Sequence, residues 1–474
     1  MTTPYPPHPQ LSGNYAPLRM EADVDDCIIV GELPADLAGT YYRNGPDPQF
    51  PPRGFHHWFA GDGMVHMWRL EGGKARYRNR WVRTTKWIAE RAAGRALWSA
   101  FDPMNIDPSV AEVVTNGLAN TNVVWHGGKL LALEEGHAPF ELDPATLDSR
   151  GPWTFDDALV GPMTAHPKID PESGEMLFFG YMVDSPLGAG MSYNVVDRSG
   201  RLTRSEMFQA PFPSMVHDFI TTAEHVIFPI FPLTGSMERA MKGEPAFAWE
   251  PSKGTHIGVM RRDGTVSDIR WFDTDACFVF HPMNAFTDGN RIVAHVMQFE
   301  EAPLFPHADG SPPDPAKAGA RLCEWTIDLG DNSRGVARRY LDDVPGEFPR
   351  LDERFAGLRY RFGYYAAAIG ADDALGFNAI VRHDFANDRR ATYAFQPGDV
   401  PGEPVFVPRA GARDPKRKGM REGEGYLIAT VYRGAEHRSD LAVFDAESIE
   451  RGPLACVQLP HRVPFGFHGN WRPA

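Results

Sequence analysis

Four histidines of this sequence share a setting that could bring them together for chemistry. Each lies among apolar residues, which indicates an interior position, although a buried imidazole needs a polar partner. They are His166, His217, His281 and His468. A single buried histidine is usually a hydrogen-bonded core residue, whereas four in similar settings also suit a shared metal ion. These residues alone leave both interpretations open.

The four histidines are widely separated along the chain, which constrains any metal site they could form. Motifs on one helix, such as H-E-x-x-H, are excluded. The spacing suits a radial architecture in which different segments each send one side chain to a central axis. Four neutral imidazoles would preserve the charge of a divalent ion and leave two octahedral positions open. Imidazole binds iron, copper, zinc and nickel, so the ligand type does not choose among these metals.

The stretch around His468 supports an interior position. Residues 465–471 (FGFHGNW) are apolar and aromatic, whereas chain ends usually carry polar residues and fray. Two interpretations fit this stretch. It is either a strand that completes a β-sheet and happens to include a histidine, or a strand that also delivers a metal ligand.

The segments between the histidines predict many short strands and few helices. Glycine and proline are frequent, at 46 and 42 residues. Hairpins are predicted around glycine-containing turns, with strands at residues 66–70 and 75–82, 121–125 and 129–133, and 256–260 and 266–271. Helices are predicted at residues 86–97 and 236–241. This pattern is typical of an all-β sandwich, barrel or propeller, and the length favours a propeller in a single domain, residues 1–474.

Charge and composition exclude several kinds of partner. The formal net charge of -14 and the pI near 5.6 argue against nucleic acid and against a polybasic membrane anchor. No apolar run is long enough to span a bilayer. Residues 1–20 predict a proline-rich N-terminal arm without the pattern of a signal peptide. Widely spaced cysteines without a C-x-x-C pair predict a reducing cytoplasm rather than a disulfide framework or a thiolate zinc site.

Five further segments carry a resemblance to a known family. They are residues 42–46 (YRNGP), 61–66 (GDGMVH), 119–122 (ANTN), 346–350 (GEFPR) and 403–409 (EPVFVPR). Together with the four histidines, they make the chain similar to the carotenoid cleavage oxygenase family over nearly its whole length. The chain length and the HGNW motif that contains His468 resemble most closely the bacterial branch that includes lignostilbene and isoeugenol cleaving enzymes.

This resemblance implies a seven-bladed β-propeller with a helical and loop dome above an axial metal site. Fe(2+) would be held by His166, His217, His281 and His468. The resemblance also implies three glutamates that accept hydrogen bonds from the ligand imidazoles, namely Glu135, Glu347 and Glu403. A carboxylate in that position fixes the tautomer and orientation of a metal-bound imidazole.

The implied activity is a non-heme iron dioxygenase that cleaves a C=C bond with O2 into two carbonyl products. The electrons come from the alkene, so no external reductant is needed. Thr121 resembles a position near the open side of the iron. Its residue type alone fits an ordinary strand position equally well.

Two positions of the substrate pocket depart from the phenol-cleaving branch. A Tyr and a Lys are expected to bind the substrate phenol there, whereas this chain has Phe101 and Glu134. A site that loses a hydroxyl contact discriminates differently among substrates. We therefore expect an apolar polyene such as an apocarotenoid first, and a stilbene or phenylpropanoid alkene as the alternative.

Other classes of function stay open on the sequence. A non-catalytic propeller that binds a partner, a propeller lactonase and an isomerohydrolase of the same family are the competing possibilities. The apolar substrate makes peripheral membrane contact by the dome conceivable. Nothing in the sequence predicts the oligomeric state.

Overall fold

The computed structural model describes residues 4–99, 105–331, 335–370, 376–410 and 421–474. The α-helices within these residues are α1, Thr85–Ala93, and α2, Met237–Met241. The strands are β1 Ala22–Val24, β2 Ile28–Gly31, β3 Gly39–Pro46, β4 Gly63–Glu71, β5 Lys74–Trp81, β6 Asn122–His126, β7 Lys129–Leu133, β8 Phe140–Leu142, β9 Ser149–Pro152, β10 Lys168–Ile169, β11 Met176–Tyr181, β12 Gly190–Val196, β13 Leu202–Gln209, β14 Ile220–Thr221, β15 His225–Ile230, β16 Leu233–Gly235, β17 Phe247–Trp249, β18 Thr255–Arg261, β19 Arg270–Thr274, β20 Phe278–Asp288, β21 Arg291–Phe299, β22 Arg321–Asp328, β23 Val336–Tyr340, β24 Gly346–Leu351, β25 Phe362–Ala367, β26 Ala379–Asp384, β27 Arg389–Ala394, β28 Val400–Pro401, β29 Val405–Pro408, β30 Gly425–Arg433, β31 Arg438–Asp445, β32 Ala455–Gln458 and β33 Gly469–Pro473.

Both helices begin at a residue that caps them. The hydroxyl of Thr84 accepts a hydrogen bond from the Trp87 amide at 3.2 Å, and the hydroxyl of Ser236 accepts one from Arg239 at 3.2 Å. Such side-chain caps satisfy amides that have no partner inside the helix. The two helices lie where they were predicted, although α1 ends before Gly94, earlier than expected.

The predicted hairpins form, with one difference. Strands β4 and β5 pair around residues 72–73, and β6 and β7 pair around residues 127–128. In the third hairpin, β18 pairs with β19, which begins only at Arg270. Residues 266–268 form a 3-10 helix instead, because Thr265 and Asp268 close a capping box there.

By contact density the chain divides into two compact units. The first consists of Met1–Ala165, Ile428–Phe444 and Pro453–Ala474. It contains the antiparallel sheet of order β1-β5-β4-β3-β33 and the sheet of order β6-β7-β8-β9. Its core includes the buried side chains of Val65, Val123 and Leu130.

The second unit consists of His166–Leu427 and Asp445–Gly452. It contains the sheets of order β10-β11-β12-β13, β14-β15-β18-β19, β20-β21-β22-β23 and β24-β25-β26-β27, and the two-stranded ribbon β16-β17. Its core is aromatic, with the fully buried rings of Phe179, Phe219 and Phe228 in contact. Burial of each such side chain stabilises the fold by about 1.5–3 kcal/mol.

A further sheet has the order β2-β32-β31-β30-β28, with β29 also paired to β30. The described residues therefore form seven sheets of four or more strands, which are the blades of a seven-bladed β-propeller. Neither α-helix among the described residues has the length and apolar character needed to cross a membrane.

Candidate metal centre

The four histidines occupy equivalent places on four different sheets. His166, His217 and His468 lie shortly before β10, β14 and β33, and His281 lies near the start of β20. Each of these strands is an edge strand of its sheet. The pairing of β20 with β21 is irregular between Val279 and Asn284, so the backbone leaves the regular ladder around His281.

The imidazoles converge on one point. One ring nitrogen from each of the four histidines lies within 4.8 Å of the others. The Nε2 atom of His217 is 3.0 Å from Nε2 of His166 and 3.2 Å from Nε2 of His281. All four side chains are buried. The structure thus brings together every histidine that was predicted to share a site.

Glu347 orients one of these imidazoles. Its Oε2 atom lies 2.5 Å from Nδ1 of His281. When the carboxylate is ionised, Nδ1 donates its hydrogen to it, and the Nε2 lone pair faces the cluster. The side chain of Glu347 is buried, and its Oε1 atom has no hydrogen-bond partner among the described residues. Burial raises the pKa of Glu347 well above its usual value, and the carboxylates of Asp218 and Glu403 add to that shift.

Asp218 is a buried acid near the cluster that sequence reasoning missed. Its Oδ2 atom lies 3.8 Å from Nδ1 of His166, and Nζ of Lys168 lies 2.7 Å from its Oδ1 atom. Burial raises the pKa of Asp218, and the charge of Lys168 opposes that shift. The residue follows His217 directly, but adjacency in the sequence did not indicate a contact with His166.

The other two predicted glutamates differ in their surroundings. Glu403 is buried, and its Oε2 atom lies 3.2 Å from Nη1 of Arg350. Glu135 is half-buried beyond the end of β7. Their hydrogen bonds to ligand imidazoles stay a prediction.

The predicted pocket residue Glu134 forms an ion pair that the sequence did not suggest. Its carboxylate is bonded to Nδ1 of His137 and accepts a hydrogen bond from the Leu118 amide at 2.6 Å. Burial alone would raise the pKa of Glu134, but His137 and the neighbouring amides lower it overall. Burial alone would lower the pKa of His137, but Glu134 raises it overall, so each partner favours the ionised form of the other.

The remaining two pocket predictions have different outcomes. Thr121 is half-buried, and its hydroxyl donates to Oδ1 of Asn120 at 3.0 Å. Phe101 lies outside the described residues. The aromatic contacts that the structure does show at the cluster come from Phe280, edge-on to His217, and from Phe348, stacked on His281.

The donor set fits a metal ion. Nitrogens only 3.0 and 3.2 Å apart would repel one another through their lone pairs unless a cation or a shared proton lay between them. Adjacent ligands of an octahedral ion with bonds of about 2.1 Å lie about 3 Å apart. The buried acids offset a positive charge at this point, because a cation removed from water needs compensation. The four-histidine cluster is therefore suited to a metal ion.

Comparison with known proteins identifies the family to which the chain belongs. Residues 15–473 match the family described as retinal pigment epithelial membrane protein, RPE65. The chain belongs to this family. An isoeugenol monooxygenase of Pseudomonas putida is 38% identical over 477 residues, which cover 98% of both chains. A lignostilbene-alpha,beta-dioxygenase isozyme III of Sphingomonas paucimobilis is 37% identical over 99% of this chain and 98% of its own.

A solved structure extends the likeness to the fold. The crystal structure of Pseudomonas brassicacearum lignostilbene dioxygenase is 35% identical, covers 100% of both chains and superposes with a TM-score of 0.93. The predicted carotenoid oxygenase family, its bacterial branch and the seven-bladed propeller are confirmed. This member of the family is an oxidoreductase, an alkene-cleaving oxygenase. Both curated relatives named above carry aromatic alkenes in their names, the class that was predicted as the alternative.

Proposed function

We propose that the chain is an Fe(2+)-dependent dioxygenase that cleaves the C=C bond of a stilbene or phenylpropanoid alkene. The observation that carries this proposal is the convergence of four imidazole nitrogens within 4.8 Å, with one imidazole oriented by Glu347. All four ligands are neutral, so the ion keeps its charge. His166, His217, His281 and His468 would hold the iron.

The proposed reaction balances without an added reductant. Iron bound by the four histidines would activate O2, and each alkene carbon receives one oxygen atom as the C–C bond breaks, giving two carbonyl products. The electrons that reduce O2 come from the alkene, which explains why no flavin or nicotinamide site is required.

The protein side chains prepare the site for this reaction. Glu347 holds the proton of His281 on Nδ1, which keeps Nε2 available as a ligand. With a cation bound, the buried carboxyl groups of Asp218, Glu347 and Glu403 would ionise and supply negative charge near it. We propose that Glu135 and Glu403 accept hydrogen bonds from the other ligand imidazoles, as Glu347 does from His281. The rings of Phe280 and Phe348 cover the imidazoles they touch and limit the access of water.

The relatives favour an aromatic alkene as substrate. The isoeugenol and lignostilbene enzymes match this chain over 98% and 99% of its length. The second candidate is an apolar polyene such as an apocarotenoid, because Phe101 and Glu134 stand where a Tyr and a Lys would bind a phenol. An ionised Glu134 has no hydrogen to donate to a substrate oxygen as a Lys would, and His137 and the Leu118 amide already bond to its two oxygens.

Turnover with labelled oxygen tests both the reaction and the substrate. The iron-loaded protein is supplied with ¹⁸O2 and, in parallel, isoeugenol, a hydroxystilbene and an apocarotenal. We expect label in both carbonyl products and the fastest turnover with an aromatic alkene. Label in one product alone would contradict the dioxygenase, and preference for the apocarotenal would establish the second candidate. A protein that binds no iron and consumes no O2 with any substrate would be a binding propeller instead.

The compartment and the membrane contact stay predictions. All four cysteines are unpaired, in accord with a reducing cytoplasm. Burial raises the pKa of Cys27 to about 11 and that of Cys323 to about 12, so both thiols are unreactive at neutral pH. Sedimentation with and without vesicles would test the peripheral contact of the dome.

A further inference from the structure

Phe348 has a backbone conformation that is unusual for its residue type. Its φ angle is +56°, in the left-handed region that favours glycine. In the pairing of β24 with β25, Glu347 lies opposite Ala366 and Arg350 lies opposite Tyr364. Two residues, Phe348 and Pro349, therefore oppose one, which is a β-bulge. A left-handed residue at a bulge is commonly glycine, so a large aromatic side chain here needs a compensating contact.

That contact is the imidazole of His281. The ring of Phe348 stacks on the ring of His281, with centroids 5.7 Å apart and an interplanar angle of 22°. Phe348 also packs against Ala366, Ala368 and Phe377. The Phe348 side chain thus contacts both the core of its own blade and one of the converging imidazoles.

The backbone of Phe348 acts on the same imidazole through Glu347. The Phe348 amide donates a hydrogen bond to Oε2 of Glu347 at 2.5 Å. The same Oε2 atom accepts a hydrogen bond from Nδ1 of His281 at 2.5 Å. One oxygen of Glu347 therefore accepts hydrogen bonds from two donors, which hold the carboxylate in place. The ring of Phe348, stacked on His281, fixes the plane of the imidazole.

We infer that Phe348 is a positioning residue for the metal ligand His281. The inference rests on the proposed function, since it takes the four histidines as ligands. The left-handed bulge sets the Glu347 carboxylate, and the aromatic ring restricts rotation of His281 about its side-chain bonds. Removing the ring lets the imidazole leave the orientation in which Nε2 points to the ion, and metal affinity falls.

Two substitutions of Phe348 remove its ring while keeping a residue that adopts the left-handed backbone conformation. Phe348→Gly favours the left-handed conformation and removes the ring, and Phe348→Asn also tolerates this conformation. The matched control is Phe377→Leu, because Phe377 contacts Phe348, with ring centroids 5.9 Å apart. Within the described residues, Phe377 makes no ring contact with His281.

Cobalt titration of the metal-free protein provides a readout that does not depend on turnover. Co²⁺ affinity and the visible ligand-field spectrum are measured for the wild type and the three variants, with circular dichroism and thermal unfolding of each metal-free protein. We expect both Phe348 variants to fold and to bind Co²⁺ about tenfold more weakly or worse, with a changed spectrum. Phe377→Leu is expected to bind within about twofold of the wild type, because it leaves the contacts to His281 in place.

The outcomes distinguish this inference from the metal centre itself. Wild-type binding with unchanged affinity and spectrum in a folded Phe348 variant would overturn the positioning role and leave the metal centre intact. Equal losses in the Phe348 variants and in Phe377→Leu would also overturn it, since they would indicate general packing. A wild-type protein that binds no Co²⁺ or Fe²⁺ would overturn the proposed metal centre, and the inference with it.

Discussion

Two buried histidines of the same sheet, His281 on β20 and His295 on β21, show what separates a candidate ligand from a core residue. Both rings are buried, and both have a glutamate next to one nitrogen. In His295 the second nitrogen, Nδ1, lies 2.8 Å from the hydroxyl of Tyr360, and the ring stacks on Phe385 with centroids 4.0 Å apart. Both nitrogens of His295 are thus satisfied by the protein.

The second nitrogen of His281 has a different environment. Its Nε2 atom lies 3.2 Å from the Nε2 atom of another histidine, which is a poor partner unless a cation or proton lies between them. The environment of the second ring nitrogen therefore distinguishes the candidate ligand from the core residue, whereas burial beside a carboxylate is common to both.

The largest difference is expected when each imidazole is removed. We expect His281→Ala to lower metal affinity by about a hundredfold or more and to abolish alkene cleavage, because it deletes a ligand. His295→Gln is expected to retain both. Metal content per chain and O2 uptake measure the two effects. Metal loss of similar size in both variants would contradict the difference between a ligand and a core histidine. If the ligand set is correct, His468→Ala should lose metal and activity as His281→Ala does.

The two glutamates provide the next comparison. Glu347→Gln keeps the shape of the side chain but removes the charge next to His281, and we expect metal affinity to fall about 10- to 100-fold. Glu324→Gln changes the partner of His295 and is expected to leave metal affinity unchanged. Titration of the metal-free variants with Co²⁺ tests this, and an unchanged affinity in Glu347→Gln would show that its hydrogen bond to His281 does not support the ligand.

For the stability of the metal-free protein, we expect the opposite order: substitution of His295 has a larger effect than substitution of His281. We expect His295→Ala to lower the free energy of unfolding by about 2 kcal/mol, because it leaves Tyr360 without its partner and empties a stacked site. His281→Ala also deletes a ring stacked on Phe348 and the partner of Glu347. It relieves the close approach of imidazole nitrogens at the same time, so we expect a smaller net loss, about 1 kcal/mol. Urea unfolding in the presence of a chelator measures both, provided that the transitions are reversible.

The smallest effect concerns pH. Burial lowers the pKa of His295 below its usual value, although Glu324 opposes that shift. The unfolded chain then binds a proton more readily than the folded one, so this residue loses folding free energy as the pH falls below about 6.5. We expect the stability loss between pH 8 and pH 5 to be smaller in His295→Gln by about 1 kcal/mol or less. An equal loss in both proteins would contradict the lowered pKa.

The contrast also explains which parts of the site the sequence could predict. The four candidate ligands were predicted from apolar settings together with family motifs, and Glu347 from the motif alone. The flanks of His295 in residues 292–297 (IVAHVM) are as apolar as those of His281. A single sequence does not separate the two, because the deciding contacts come from Tyr360, Glu324 and Phe385, which are remote in the chain.

Other misses have similar causes. Asp218 contacts His166, which is remote in the chain, and local patterns do not report such a contact. His137 lies only three residues from Glu134, but the turn that brings them together has no regular side-chain spacing. Strand β13 was not predicted because most of its residues are polar or charged, as suits the edge strand of its sheet. The start of β19 was misplaced because a capping box competed with the alternating pattern. By contrast, β21 was predicted with the bounds that the structure shows, since a continuous apolar run marks a buried strand.

The pairing of β33 with β3 has a consequence for the order of events during synthesis. Arg43 of β3 lies opposite Gly469, so β3, which is synthesised early, completes its pairing only after β33 has been synthesised. A ribosome has to translate every other blade before that partner exists, and His468 arrives with it. Contacts of such long sequence separation form late, after the entropy of a long loop has been overcome. Iron would then be captured by a chain that is nearly folded, and an incompletely translated product would lack the fourth ligand.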